Sequence, residues 1–186
     1  AIGYDLYIEM LHEAISEISG QEIPEVSDTQ IDLPINAFIP ATWILNREEK
    51  LEAYKSATEC SNNDELTELA TDWVNRYGTL PKPVESLIMI MRLKLLAKKC
   101  GFNKIKLKKP NIMIETKLKK STFKILKNSL ASSVQNKFNF EEGEHLSIIT
   151  IRGIGVTEIQ NQIDQLMSWF GSFEREIKNF DKELHN

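Results

Sequence analysis

The spacing of apolar residues divides the chain into a helical first half and a second half in which short strands alternate with helices. Through most of residues 1–101, apolar side chains recur every three or four positions, which is the period of an amphipathic helix. After Gly101 they alternate with polar side chains, which is the period of a strand. The two patterns predict an α+β fold, in which an N-terminal helical half precedes a small mixed sheet of two hairpins packed with helices.

Capping residues and periodicity together predict four helices in the first half. Asn46 with Glu49 three positions later, and Asn62 with Glu65, are capping boxes that mark helix starts. Gly78 suits a helix end, because glycine adopts a positive φ at little cost. These signals predict helices over residues 4–18, 47–58, 62–77 and 83–100, with an extended segment over 31–39.

The helices of the first half differ in the side chains that they are expected to bury. The helix at 47–58 is predicted to pack through Leu51 and Tyr54. The helix at 83–100 is apolar on more than half of its circumference. It is therefore predicted to be the central buried helix of this half, since a helix that is apolar nearly all round must be covered on most sides.

The second half, residues 102–186, is predicted to have the order β-β-α-β-β-α. Gly153 and Gly155 bracket a tight turn between a strand and a helix, and the third glycine of a dinucleotide-binding fingerprint is missing. A phosphate-binding loop is therefore not predicted there. The predicted elements are strands at 104–108 and 112–116, a helix at 121–130, strands at 137–140 and 146–151, and helices at 157–169 and 173–182.

Length and composition are those of one domain that can bury a core. The chain has 186 residues, of which 41% are hydrophobic and 27% are charged. No run approaches the roughly 20 apolar residues that span a bilayer, and no export signal opens the chain, so a cytoplasmic location without membrane contact is predicted. Because the sequence starts at Ala1 rather than Met, it is interpreted as a piece of a longer protein.

Motifs for catalysis or metal binding are absent from the sequence. It contains no GxxxxGK[ST] phosphate loop and no GxSxG nucleophile elbow. Cys60 and Cys100 have no CxxC partner, so they are interpreted as reduced thiols. The three histidines are scattered without metal-ligand spacing. The chain is accordingly predicted to be non-enzymatic, with no cofactor and no metal ion.

Charge is distributed unevenly along the chain. Residues 1–91 hold 5 Lys/Arg against 17 Asp/Glu, whereas residues 92–127 hold 13 Lys/Arg against one Glu. Within the basic segment, Lys104, Lys106 and Lys108 share one face of a predicted strand and could contact phosphates. Few aromatic residues accompany them, so we favour the alternative that these lysines protect an edge strand from aggregation.

The helix at 62–77 carries a second candidate surface. At about 100° per residue, Leu66, Trp73 and Tyr77 form its apolar stripe. Asp72, Asn75 and Arg76 then fall together on the remaining surface, at positions i, i+3 and i+4. Spacing alone predicts an exposed polar patch there and assigns it no role. The patch Asp72, Asn75 and Arg76 is called the polar triad below.

Three ordered segments resemble the C-terminal domain of bacterial transcription-repair coupling factors. Residues 3–11 read GYDLYIEML, and residues 31–40 read IDLPINAFIP. Residues 75–85 read NRYGTLPKPVE and are followed by Arg92-Leu93-Lys94. Each resembles a motif of that family, and the three lie in the family's order. Residues 102–186 are similar to the family mainly in pattern.

The resemblance implies that residues 1–186 form a single C-terminal regulatory domain of a larger, multidomain protein. Proteins of this family are ATP-driven duplex DNA translocases that displace stalled RNA polymerase. They also recruit UvrA, the damage-recognition component of the UvrABC excinuclease. Their C-terminal domain is non-catalytic. It binds the N-terminal UvrB-like module of the same protein, masks the UvrA-binding surface there and restrains the motor. The fragment itself is expected to be a monomer.

The resemblance also implies a role for the polar triad. The family uses an acidic residue, then an aspartate and an arginine three and four positions on, to hold the UvrB-like module. These positions correspond to Asp72, Asn75 and Arg76. Asp72 is shorter than the usual glutamate, and Asn75 lacks the aspartate's charge, whereas Arg76 is intact. The alternative function is a nucleic-acid-binding module that uses the lysine-rich face of residues 92–127.

Overall fold

The computed structural model describes residues 22–185, and the helix predicted over residues 4–18 lies outside that range. The described part has six α-helices and five strands, which confirms the predicted α+β class. A 3-10 turn precedes the last helix. The elements are β1 Gln30–Asp32, α1 Arg47–Glu59, α2 Asn63–Tyr77, α3 Lys82–Lys99, β2 Phe102–Lys108, β3 Asn111–Thr116, α4 Lys120–Asn128, α5 Ser132–Gln135, β4 Phe138–Glu141, β5 Ser147–Ile151, the 3-10 turn Ile154–Val156 and α6 Ile159–Leu184.

The five strands form one sheet in the order β1-β2-β3-β5-β4. The two predicted hairpins, β2–β3 and β4–β5, are confirmed as antiparallel pairs, and β3 joins them by pairing with β5. The extended segment predicted over 31–39 contributes only the short strand β1, which pairs in parallel with β2. An edge strand from the first half of the chain therefore completes the sheet of the second half.

The position of β2 overturns the preferred interpretation of its lysines. Gln30 pairs with Lys104 and Asp32 pairs with Lys106, so β2 lies between β1 and β3. The interpretation that these lysines protect an edge strand is therefore wrong for Lys104 and Lys106, whereas Lys108 lies beyond the last residue that pairs with β1. The strand that covers β2 comes from a part of the sequence far from it, and local periodicity carries no information about such a partner.

One face of the sheet is covered by α3, α4 and α6. The buried side chains of that face include Ile105, Ile114 and Ile149, and they pack against phenylalanines of α4 and α6. Helix α3 also belongs to a second cluster, in which Val84 and Ile88 meet side chains of α1 and α2. Because α3 contributes to both clusters, its prediction as a central buried helix is confirmed.

Helix α1 packs differently from the prediction. Tyr54 does reach the second cluster, and its hydroxyl accepts a hydrogen bond from the Ile39 N–H at 2.7 Å. Leu51, in contrast, is 59% exposed, so its prediction as a packing residue is wrong. The buried residues of α1 are Ala53 and Ala57, whose small side chains allow its backbone to lie close to its neighbours.

The last helix is continuous where two helices were predicted. Helix α6 runs through Gly171, although glycine inside a helix costs roughly 1 kcal/mol relative to alanine. Phe170 and Phe173, on either side of Gly171, are fully buried in the cluster between the helices and the sheet. Burying two aromatic side chains contributes more than that cost, so the packing against the sheet keeps the helix unbroken.

Glu174 ties α6 to α3. Its carboxylate lies 3.4 Å from Lys99 Nζ of α3 and 3.1 Å from Lys178 Nζ on its own helix. Partial burial by itself would raise the pKa of Glu174, but the hydrogen bond and charge of Lys178 and the charge of Lys99 outweigh it and lower that pKa. The folded state therefore favours the ionised carboxylate.

We expect Glu174→Gln to reduce the free energy of unfolding at neutral pH and to make no difference in acid. A group whose pKa is lowered in the folded state stabilises it fully above its unfolded pKa, about 4.3, and loses that effect as the pH falls through the folded pKa. Urea unfolding between pH 8 and pH 3 measures the difference. Glu176→Gln, on the same helix, is the control. If Glu174→Gln lowers the free energy of unfolding as much at pH 3 as at pH 8, the effect does not come from ionisation of Glu174 and the prediction is wrong.

A candidate protein-binding face on helix α2

Local sequence signals fix both ends of α2. At its start the Asn62 side chain accepts a hydrogen bond from the Glu65 N–H at 2.9 Å, and the Glu65 carboxylate accepts one from the Ser61 N–H at 2.6 Å. At its end Gly78 has φ +89°, and its N–H donates to the Val74 carbonyl at 2.9 Å. A residue with a side chain would be strained at that φ, so glycine defines where the helix stops.

The polar triad is exposed, as the spacing predicts. Leu66 and Trp73 are buried, Trp73 within the second core cluster, so Asp72, Asn75 and Arg76 face the solvent. Arg76 Nη1 lies 3.8 Å from Asp72 Oδ2, and both side chains are 56% exposed. Ion pairs of this kind on one helix contribute about 0.3–0.5 kcal/mol, so exchanging partners costs little.

A shallow cavity of about 90 Å³ lies between α1 and α2, beside the polar triad. Its wall includes Asp72 and Arg76 from α2, and Glu49 and Glu52 from α1. Tyr77 also lines the cavity, and its hydroxyl donates to Glu49 Oε2 at 3.3 Å. Three carboxylates therefore accompany one guanidinium, which makes this groove predominantly anionic.

The tyrosine in this groove is held in its neutral form. Desolvation raises the pKa of Tyr77, the charge of Arg76 lowers it, and the Glu49 carboxylate raises it again, with a net rise. The guanidinium carbon of Arg76 also lies 5.2 Å from the centroid of the Tyr77 ring. Arg76 therefore rests on an aromatic face while its donors remain available to a partner.

Sequence reasoning missed the contribution of α1 to this surface. The sequence identifies Glu49 only as a capping residue and does not distinguish Glu52. Both lie on the side of α1 that faces α2. Their spacing of three positions on a predicted helix could have placed them on one face, but nothing local indicates that α2 packs beside that face.

The three candidate lysines lie elsewhere, on the face of the sheet opposite the helices. Lys104 and Lys106 are half-buried and Lys108 is exposed. Lys106 is paired with Glu115 of β3 at 3.4 Å. The polar triad and these lysines therefore belong to two separate surfaces.

Within residues 22–185, no three His, Cys, Asp or Glu side chains are grouped to hold a metal ion. Burial raises the pKa of the Cys60 thiol, with Glu65 and Glu59 adding to the rise, and burial also raises the pKa of the Cys100 thiol strongly. Both sulfurs are therefore poor nucleophiles at neutral pH. No helix in this part of the chain is long and apolar enough to cross a membrane.

The chain is similar to part of several known proteins. The family model for the TRCF domain matches residues 33–125. A transcription-repair-coupling factor of Staphylococcus epidermidis is 32% identical over 116 residues, 61% of this chain and 10% of that protein. The Bacillus subtilis protein of the same name is 35% identical over 99 residues, 53% of this chain and 8% of its own length. The chain thus spans about a tenth of the length of the curated relatives it matches.

A solved structure has the same fold. The C-terminal domain of a transcription-repair coupling factor superposes with a TM-score of 0.66 at 18% sequence identity. The match covers 85% of this chain and 99% of that domain. At this level of identity the match describes the fold, and it leaves the role of the polar triad to be argued from the side chains themselves.

Proposed function

The chain belongs to the TRCF domain family, and on that premise we propose that it is the non-catalytic regulatory domain of a transcription-repair coupling factor. In this role the domain binds the N-terminal UvrB-like module of the same protein through the polar triad. The observation that carries the proposal is the loose Arg76–Asp72 pair at 3.8 Å on an exposed helix face. An exposed guanidinium in a weak pair can move to a better-placed carboxylate on a partner.

The charges around the polar triad specify what the partner surface must offer. Arg76 requires a carboxylate, which it can bind through two parallel hydrogen bonds. Asp72, together with Glu49 and Glu52 of α1, requires arginine or lysine from the partner. Asn75 contributes hydrogen bonds without charge, and Asp72 reaches less far than glutamate would. The contact is therefore expected to be weaker than one built from Glu, Asp and Arg.

In this proposal, the contact inhibits the parent protein because the domain and UvrA compete for the same surface of the UvrB-like module. The UvrB-like module would be covered while the domain is bound, so UvrA could not dock there. The same contact would restrain the ATP-driven DNA translocase of the parent protein until RNA polymerase is engaged. Releasing the domain from the module costs the free energy of the interdomain contact. That free energy is expected to be small, because the contacting surface is exposed and partly polar.

Substitution Arg76→Glu tests the assigned surface. We expect it to weaken binding of the chain to the separately produced UvrB-like module by at least about 30-fold, because it places a carboxylate against the carboxylate that Arg76 would pair with. Isothermal titration calorimetry measures the change. In the parent protein the same substitution is expected to raise basal ATPase activity and binding of UvrA.

Two further variants make the result specific. Lys124→Glu is the control, because it makes the same change of charge at an exposed position of α4. Asn75→Asp restores the charge that the family usually has and is expected to strengthen binding. The proposal fails if Arg76→Glu and Lys124→Glu bind the module equally well, or if the parent protein's ATPase activity does not respond to Arg76→Glu.

A further inference from the structure

The sheet has an open face that carries a distinct group of cations. Ile112 of β3 and Ile151 of β5 are paired with each other and fully buried on the helix-covered face. Side chains alternate along a strand, so their neighbours Asn111 and Arg152 lie on the opposite face. Lys108, which pairs with Asn111, lies on the same face at the end of β2.

These residues form a row across four strands. Lys108 pairs with Asn111, and the Arg152 N–H donates to the Lys137 carbonyl at 2.8 Å, which extends the β4–β5 ladder by one step. Four adjacent strands span three intervals of about 4.8 Å, or roughly 14 Å from Lys108 to Lys137. Lys109 adds a further cation in the β2–β3 turn. Lys108, Lys109, Lys137 and Arg152 are called the cation row below.

The cation row is not neutralised by the described part of the chain. None of its four residues lies within 4.0 Å of a carboxylate there, whereas Lys106, in the middle of β2, is paired with Glu115 at 3.4 Å. All four are exposed. Arg152 donates to the Asn136 carbonyl, a contact that positions its guanidinium without cancelling its charge.

The surface beside the cation row is concave and polar. A depression of about 480 Å³ is lined by three members of the cation row, Lys108, Lys109 and Arg152, and by polar side chains that include Asn139 and Thr150. Glu141 is the one carboxylate among its described lining residues. None of these lining residues is aromatic, so the depression offers no platform on which an unpaired base could stack.

We propose that the cation row binds phosphates of duplex nucleic acid. Unpaired lysines on a flexible stem suit phosphate, and four separate cations suit a polymer of phosphates better than one small anion. The row is about as long as the major groove is wide, roughly 12 Å, so its two ends reach phosphates of both strands. The absence of aromatic side chains favours a duplex over a single strand. This inference does not depend on the polar triad, which lies on another surface.

Salt dependence of binding tests the inference directly. The probe is a fluorescein-labelled duplex of about 20 base pairs, titrated with the 186-residue chain and followed by anisotropy between 50 and 200 mM salt. Four phosphate contacts give a slope of log K against log salt of about −3.5, which is a loss of affinity of roughly 100-fold over that range. The triple variant Lys108→Gln, Lys109→Gln, Lys137→Gln is expected to reduce the slope to about −1 and to weaken binding at least tenfold at 50 mM salt.

A matched variant removes three cations from the other side of the sheet. Lys119→Gln, Lys120→Gln, Lys124→Gln makes the same change in net charge at exposed positions in and beside α4, and it is expected to bind within about threefold of the unsubstituted chain, since separated charges are screened. Circular dichroism establishes that both triple variants are folded.

Four results would overturn the inference. The first is no salt-dependent binding by the unsubstituted chain, and the second is an equal loss in the two triple variants. The third is tighter binding of a single strand of the same length than of the duplex, which would point to base contacts. The fourth is competition by polyglutamate as effective as that by unlabelled duplex, which would assign the cation row to an acidic protein partner.

Discussion

Phe173→Ala is expected to lower the free energy of unfolding by about 3–5 kcal/mol, the usual cost of emptying a buried phenylalanine site. Phe173 is fully buried on α6. Its ring centroid lies 6.1–6.3 Å from those of four other phenylalanines, Phe102, Phe123, Phe138 and Phe170. These four residues come from β2, α4, β4 and α6 itself. Because the rings are rigid and are held by separate elements, they cannot move together to fill the cavity that the substitution would leave. Equilibrium unfolding in urea, followed by circular dichroism, measures the loss.

Phe38→Ala is the control for that measurement. Phe38 is 46% exposed, so the same chemical change there removes a side chain that water already contacts. Its cost is expected to stay below about 1 kcal/mol. Equal losses for the two variants would show that the aromatic cluster is not the centre of the core, and would also remove the reason for α6 to continue through Gly171.

Gly155→Ala is expected to lower the free energy of unfolding by about 3 kcal/mol, at the upper end of the cost of overpacking. A Cβ atom there would lie 2.7 Å from Leu107 Cδ1, 2.9 Å from the Asn111 carbonyl oxygen and 2.9 Å from the Pro110 carbonyl carbon. The last two belong to the backbone of the β2–β3 turn, which cannot rotate aside. The Gly155 N–H also donates to the Pro110 carbonyl at 2.9 Å. The added methyl group would therefore push the 3-10 turn away from the β2–β3 turn and weaken this hydrogen bond.

Gly153→Ala separates crowding from backbone strain in this result. Gly153 has φ +78° but open space around the position of a Cβ atom, so alanine there is strained without being crowded. Its expected cost is about 1 kcal/mol. The account of Gly155 is contradicted if Gly153→Ala is the more damaging change. Because the β2–β3 turn carries Lys109, Gly155→Ala should also weaken duplex binding, whereas Phe38→Ala should not.

Much of the secondary structure could be predicted because its signals are local. Asn46 and Asn62 act within three residues of themselves, so the predicted starts of α1 and α2 are correct to within one residue. The two hairpins follow from alternation over about five residues and a short turn. The exposure of the polar triad follows from the buried stripe of its own helix, since Leu66 and Trp73 fix its rotation.

The errors occur where a distant part of the chain decides the outcome. Leu51 is apolar and spaced as a packing residue, yet it is exposed, and Ala53 and Ala57 are the buried residues of α1. Gly171 is a helix breaker by propensity, but aromatic burial on both sides keeps α6 continuous. In both cases the contact energy of the assembled core exceeds the local preference.

Within residues 22–185, the sequence by itself determined most of the helices and strands, the exposed polar triad and the uneven charge. Only the tertiary structure decided which neighbours those charged residues have and which surfaces they share. It placed β1 beside β2, which removed the edge from Lys104 and Lys106, and it brought Glu49 and Glu52 of α1 to the polar triad. It also aligned Lys108 and Lys137, from strands distant in the sequence, in one row. The physical reason is range: caps and periodicity act within one or two turns, whereas strand pairing and helix packing join residues whose separation along the chain leaves no local trace.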